Sequence, residues 1–311
     1  MKKFLSIALA LLMVCVMLPV VALAAEKTAS TYEELKSAIS TANDGDTIKL
    51  LADIDLSQTI TVNKTITLNM NGKKLYNTSD LWDKPTAEAN NWSLISVRGS
   101  GNLTITGNGT FAAKENDCYA VDVQESATVT IKNGTFIGNI HAVYVFAGTA
   151  NVEGGTYSVQ QKYPDSAKGD EFVLNCYDAN RANGTARINV TGGTFKNFNP
   201  ADNKAEGEGN NFADNSLVVQ KNNTVQNNDY YVGNAANEVI AAASKGEEIF
   251  VLNGTTLTNV PAGVIIQNRT GDRITVNGKD VELTGDAGYT VPASNITIIV
   301  PGDTTPAVIS A

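Results

Sequence analysis

Short stretches of alternating apolar and polar residues recur along the chain, and four of them end in a Gly-Thr step and an aromatic ring. They are "LTITGNGTF" at 103–111, "VTIKNGTF" at 129–136, "ANVEGGTY" at 150–157 and "INVTGGTF" at 188–195. Val129 and Ile131, Ala150 and Val152, and Ile188 and Val190 hold the apolar positions, a period of two that predicts strands buried on one face. The glycine gives the bend a backbone freedom that other residues lack. Phe111, Phe136, Tyr157 and Phe195 then fall at one place in every repeat. A weaker copy, "ITLNMNGKKL", occupies 66–75. Between Gly109, Gly134, Gly155 and Gly193 the spacings are 25, 21 and 38 residues. A period in the low twenties, lengthened by insertions, is the signature of stacked repeats.

A second strand precedes each Gly-Thr stretch: "LISVRG" (94–99), "AVDVQE" (120–125), "AVYVFA" (142–147) and "VLNCYD" (173–178). Aligning them predicts two inward columns, Ile95–Val121–Val143–Leu174 and Val97–Val123–Val145–Cys176. Two outward columns follow, Ser96–Asp122–Tyr144–Asn175 and Arg98–Gln124–Phe146–Tyr177. Parallel strands on a coiling chain predict a mainly β fold, a single-stranded parallel β-helix, whose open ends need covering because unpaired edges aggregate. At the N-terminal end "TYEELKSAISTANDGD" (31–46) predicts a cap helix. Thr31 and Glu34 form a capping box, and Leu35, Ile39 and Ala42 line one face.

The helix-turn-strand phrase returns as "NEVIAAASKGEEIFVL" (237–252), and "ITVNGKDVEL" (274–283) echoes the early repeat. This unit either covers the far end of the stack or begins a second one. Residues 196–230 are Asn-, Gly- and acid-rich and predict a loop-dominated transition. The expected organisation is a signal peptide (1–24), a β-helix with its cap helix (25–232), a helix-strand unit (233–295) and a flexible tail (296–311).

The first segment sets the compartment. Lys2 and Lys3 precede a long apolar run that ends in Ala22-Leu23-Ala24, a small-x-small cleavage site, so the mature chain begins at Ala25 and is secreted or held at the cell surface. No transmembrane segment is expected in that mature chain. Removing residues 1–24 takes the formal charge from −9 to −11, which gives no electrostatic basis for a nucleic-acid partner. A neutral glycan or a surface protein suits the balance better. Cys118 and Cys176 fall about two rungs apart, roughly 10 Å at the usual strand spacing, so both are expected as free thiols.

Together, the leader, "TYEELKSAISTANDGDTIKLLADIDL", "TITLNMNGKKL" and the serial "GGTF" rungs resemble secreted or surface proteins of Gram-positive bacteria with the pectin-lyase-like fold. The resemblance covers about residues 30–200 well and 235–290 loosely, and implies a right-handed β-helix. It also implies two chemistries to look for. Hydrolases of that fold carry adjacent aspartates, a Gly-His-Gly step and an Arg-x-Lys, none of which occurs around His141 or Arg187. Lyases use carboxylates on calcium and a basic Arg or Lys, for which Arg98 beside Asp122 is the one candidate. A single carboxylate is far from the six to eight oxygens calcium takes. No catalytic residue, cofactor or metal site is therefore expected outside that lyase alternative, where calcium would enter.

The insertions point to a binding face instead. "YNTSDLWDKPTAEANNW" (76–92) and "QQKYPDSAKGDE" (160–171) interrupt the repeat at the same point and should leave it at one corner, framing a groove about 10–15 Å wide. Trp82 and Trp92 lie in the first and Tyr163 in the second. Tyr144, Phe146 and Tyr177 point outward between them, with Arg98, Asp122, Gln124 and Asn175 placed to bond hydroxyl groups. Such a set suits a glycan groove. The same tryptophans would equally serve to anchor their loop over apolar surface. A third reading is a structural spacer, in which each repeat leans on its neighbours alone.

Overall fold

The computed structural model describes residues 24–82, 92–161, 172–200, 210–212, 217–224, 227–233, 236–252, 256–282, 288–293, 295–298 and 307–310. The expected leader therefore lies outside the described residues except for Ala24. The fold is mainly β, with three helices among the described residues: Tyr32–Thr41, Asp178–Ala182 and Ala236–Ala242. None is long and apolar enough to cross a membrane.

Three long sheets carry the architecture. Sheet I stacks Glu26–Ala29, Thr47–Leu50, Thr65–Asn69, Asn102–Thr106, Thr128–Ile131, Gly148–Val152, Ala186–Val190 and Asn210–Phe212 in chain order, every neighbour parallel. Sheet II begins with Ile54–Asp55, Lys74–Tyr76, Thr110–Ala112, Thr135–Gly138, Thr156–Val159 and Gly192–Lys196, again all parallel. Sheet III stacks Ile60–Val62, Ser93–Val97, Tyr119–Val123, Val143–Val145 and Leu174–Cys176. From Thr65 to Lys196 the chain visits sheets I, II and III in that fixed order, circuit after circuit, an arrangement consistent with a β-solenoid.

The repeat phrase explains why the circuits register. Phe111, Phe136, Tyr157 and Phe195 are fully buried and stack ring on ring at 4.9, 5.1 and 5.1 Å between centroids. Each ring thus covers the next, which favours one vertical alignment over a slipped one. The preceding glycine is needed twice over. Gly134 has φ +120°, and a Cβ there would stand 3.0 Å from the Gly109 carbonyl and 3.3 Å from the Phe136 ring. Both inward columns of sheet III pair residue for residue as expected and are buried. Cys176 ends the second as a core residue, and Cys118 is a second buried free thiol.

At the start, Thr31 caps the first helix by accepting from the Glu34 N–H at 3.2 Å, while Glu34 accepts from the Ser30 N–H at 2.7 Å. Leu35, Ala38, Ile39 and Ala42 are buried beneath it. A strand not expected from the sequence, Glu26–Ala29, precedes the helix and forms the edge of sheet I.

Downstream, the expected loop-dominated transition gives way to an antiparallel hairpin, Leu217–Thr224 with Asn227–Gly233. Its second strand joins sheet II antiparallel to Gly192–Lys196, straddling the expected boundary at 232/233. Glu248–Val251 then pairs with the hairpin, so sheet II runs on into the C-terminal unit. That unit has its own core around Val239, Ile249, Val264, Ile266 and Ile274. The expected flexible tail also carries structure, since Asn295–Ile298 pairs antiparallel with Ala307–Ser310.

Candidate functional site

The first insertion leaves the chain between sheets II and III, at the corner from which the second also departs. Its described root, 76–82, is pinned by a residue that the sequence did not single out. Asp117 is buried and accepts from Asn77 Nδ2 at 2.6 Å, from the Leu81 N–H at 2.9 Å and from the Trp82 N–H at 2.9 Å. Asn77 Oδ1 in turn accepts from the Lys114 N–H at 2.8 Å. One carboxylate of the following circuit thus fixes the backbone that carries Trp82.

From that root a belt of rings crosses the corner. Trp82 meets Trp92 edge-on at 4.3 Å and Tyr119 at 5.5 Å. Tyr119 contacts His141 at 4.8 Å and Tyr144 at 5.2 Å, and His141 stacks on Tyr144 at 5.3 Å. Phe172, at the return of the second insertion, meets His141 edge-on at 6.4 Å. The belt therefore joins the two insertions across the sheet III strands. Trp92 is 40 % exposed, whereas Trp82 and Tyr144 are half-buried. Tyr163 lies outside the described residues.

The first outward column aligns as expected, Ser96 with Asp122, Tyr144 and Asn175. Ser96 and Asp122 are both 0 % exposed, whereas Tyr144 and Asn175 are half-buried. Period two places all four on the outer surface of the sheet, yet the first two do not face water. Asp122 is satisfied locally, accepting from Ser96 Oγ at 2.9 Å and from Gln124 Nε2 at 2.8 Å. Burial nevertheless pushes its pKa up to about 6, against the pull of those two bonds and of Arg98. Arg98, the candidate base beside Asp122, makes its ion pair with Glu125 at 3.5 Å, because Glu125 is exposed and costs less to bring beside the guanidinium than a covered carboxylate.

His141 is buried, and its pKa is pushed down to about 4 by that burial. Nδ1 lies 2.7 Å from the Phe172 carbonyl, which can only accept, so the proton is on Nδ1. Nε2 then accepts from Asn175 Nδ2 at 3.3 Å. Both ring nitrogens are thus held in hydrogen bonds. Asn175 Oδ1 is buried and has no hydrogen-bond partner among the described residues.

The second outward column behaves differently. Phe146 and Tyr177 are 39 % and 43 % exposed and stack on each other at 4.8 Å. Gln124 turns back to Asp122, and Arg98 is half-buried against Glu125. Two facing rings cover each other, so a ligand meets their outer edges and free faces and not two open plates. Among the described residues, no three His, Cys, Asp or Glu side chains converge as a metal site. An open cleft of about 570 Å³ lies elsewhere, over the Gly-Thr corner between sheets I and II, bounded by Thr135, Thr156, Thr194 and Tyr231. It is lined by hydroxyls and glycine backbone and was not singled out in sequence, where those residues serve the turn. Comparison of the chain with family models, with curated proteins and with solved structures finds no match in any of the three.

Proposed function

We propose that this chain is an exported, non-catalytic right-handed β-helix of the pectin-lyase-like type, closed at its start by the Tyr32–Thr41 helix, that binds a neutral glycan on the outer face of sheet III. One observation carries the reading: a continuous ring belt at the insertion corner, rooted on Asp117 and with Trp92 reaching solvent, together with a separate exposed stack of Phe146 on Tyr177 on the same sheet. Exposed aromatic rings beside amide and hydroxyl groups suit the apolar faces and hydroxyls of sugars, and the acidic chain disfavours polyanions at long range. The lyase alternative is weakened by an Arg98 that pairs with Glu125 and an Asp122 closed off from solvent.

The test is a glycan array probed with the chain from Ala25, with and without calcium, alongside Trp92→Ala and Tyr177→Ala. Calcium-independent binding to one neutral class, weakened at least tenfold in either variant, is the expected result. Binding to no glycan would overturn the reading and leave a protein partner or a structural spacer.

A further inference from the structure

The edge strand of sheet I begins beside the bond at which leader cleavage is expected, and its first nitrogen is already committed. The Ala25 N–H donates to Asp46 Oδ1 at 2.8 Å, and the Asn43 N–H donates to Asp46 Oδ2 at 2.9 Å. On its other side the Ala25 carbonyl accepts from the Thr47 N–H at 2.8 Å. Ala25 is thus fixed immediately before Glu26–Ala29, which pairs in unbroken register with Thr47–Leu50.

Asp46 is an unusual group to find there. It is 1 % exposed, bonded to the first residue of the Asn43–Asp46 turn and to the strand start. The two backbone donors hold its carboxyl below the usual range, with smaller help from Lys27 and Lys64. Neither lysine is bonded to it. Lys64 Nζ donates to the Ser40 and Ala42 carbonyls at 2.6 Å each, and Lys27 Nζ lies 3.4 Å from Thr41 Oγ1. A covered carboxylate is thus met by two neutral N–H groups, where a cation would be the stronger partner.

We propose that Asp46 is the receptor for the α-ammonium created when the Ala24–Ala25 bond is cut. The inference rests on reading residues 1–24 as an export leader. Hydrolysis consumes one water: the C–N bond breaks, the hydroxyl adds to the Ala24 carbonyl carbon as a carboxylate forms, and the Ala25 nitrogen takes up protons to become –NH₃⁺. The atom that donated as a neutral amide then carries a full positive charge at the same place. The amide bond to the carboxylate is already assisted by the charge on Asp46, and a cationic donor adds direct attraction between opposite charges. Processing therefore changes the hold on the sheet I edge from an amide donating to a carboxylate into an ion pair, at the edge strand of the stack.

The test uses the chain starting at Ala25, with its amine free or Nα-acetylated, each with Asp46 or Asp46→Asn. Acetylation is expected to lower Tm by about 2–4 °C in the Asp46 chain, the shift a large domain shows for the loss of a single interaction, and by much less in the Asp46→Asn chain, which has no charge to offer the amine. The α-amino group, labelled and titrated by NMR, is expected above its ordinary value of about 7.7–8.0 with Asp46, and at that value in Asp46→Asn. An equal Tm change in both backgrounds, or an ordinary α-amino pKa with Asp46, overturns the proposal. N-terminal sequencing of the exported protein tests the leader reading separately. Finding Ala25 supports the receptor's role in maturation, and another first residue overturns that role even if the charge pair forms.

Discussion

Sheets I and III belong to the same circuits, yet the polar ladder on one and the Ser96–Asp122 pair on the other meet opposite surroundings. On sheet I, Thr67, Thr104, Thr130, Asn151 and Asn189 align strand over strand and stay half-exposed. They bond to one another where they bond at all: Asn189 Nδ2 donates to Asn151 Oδ1 at 2.8 Å and Asn151 Nδ2 to Thr130 Oγ1 at 3.3 Å. On sheet III, Ser96 and Asp122 occupy the equivalent outward phase and are sealed from water. Period two decides which side of a sheet a residue takes. Whether that side meets solvent depends on what packs over it, which the alternation does not encode. Polar groups on the covered face must then find internal partners, while those on the open face have water in reserve.

Breaking the cover should have the largest effect. Asp117→Ala removes the shared acceptor of Asn77, Leu81 and Trp82 and leaves buried donors unpaired, at a cost of about 3 kcal/mol or more. Urea denaturation should report that loss, and tryptophan emission should shift to the red as Trp82 leaves Tyr119. Hydrogen exchange in sheet I should stay as it was.

The titration of the covered face gives the next largest. Asp122 is raised from 3.8 to about 6, so the folded state holds its proton more tightly, and its contribution is present below about pH 4 and lost as pH rises through 6. His141 is lowered from 6.5 to about 4, so its contribution is present above pH 6.5 and lost as pH falls through 4. In the intact protein the two slopes oppose each other between pH 4 and 6. Asp122→Asn should therefore make stability rise across that window, and His141→Gln should make it fall, by up to about 3 kcal/mol each. Denaturation curves from pH 4 to 7 check the signs, and equal slopes in the two variants would refute the pairing.

The open face should respond least. Asn151→Ala breaks two side-chain bonds that water can replace, so a change within about 0.5 kcal/mol is expected in the same denaturation assay. A loss comparable to that of Asp117→Ala would mean that the sheet I ladder bears on stability as much as the covered corner does.

The sequence by itself determined the strands of the repeated circuits, their order and their register. Alternation marks the buried face, the Gly-Thr-ring phrase marks one bend per circuit, and like residues stack on like, so Val121 pairs with Ile95 and Val143 as alignment alone predicts. It also determined the first helix, whose capping box and apolar stripe are both local. Only the tertiary structure decided the rest, because the deciding contacts join residues far apart in the chain. Asp117 grips a root some 35 residues earlier, a link no local pattern encodes. The Leu217–Gly233 hairpin forms on the free edge that Gly192–Lys196 offers, against an Asn-rich composition that reads as loop. Ser96 and Asp122 are buried on the outward side of their sheet, which alternation along their own strands cannot express.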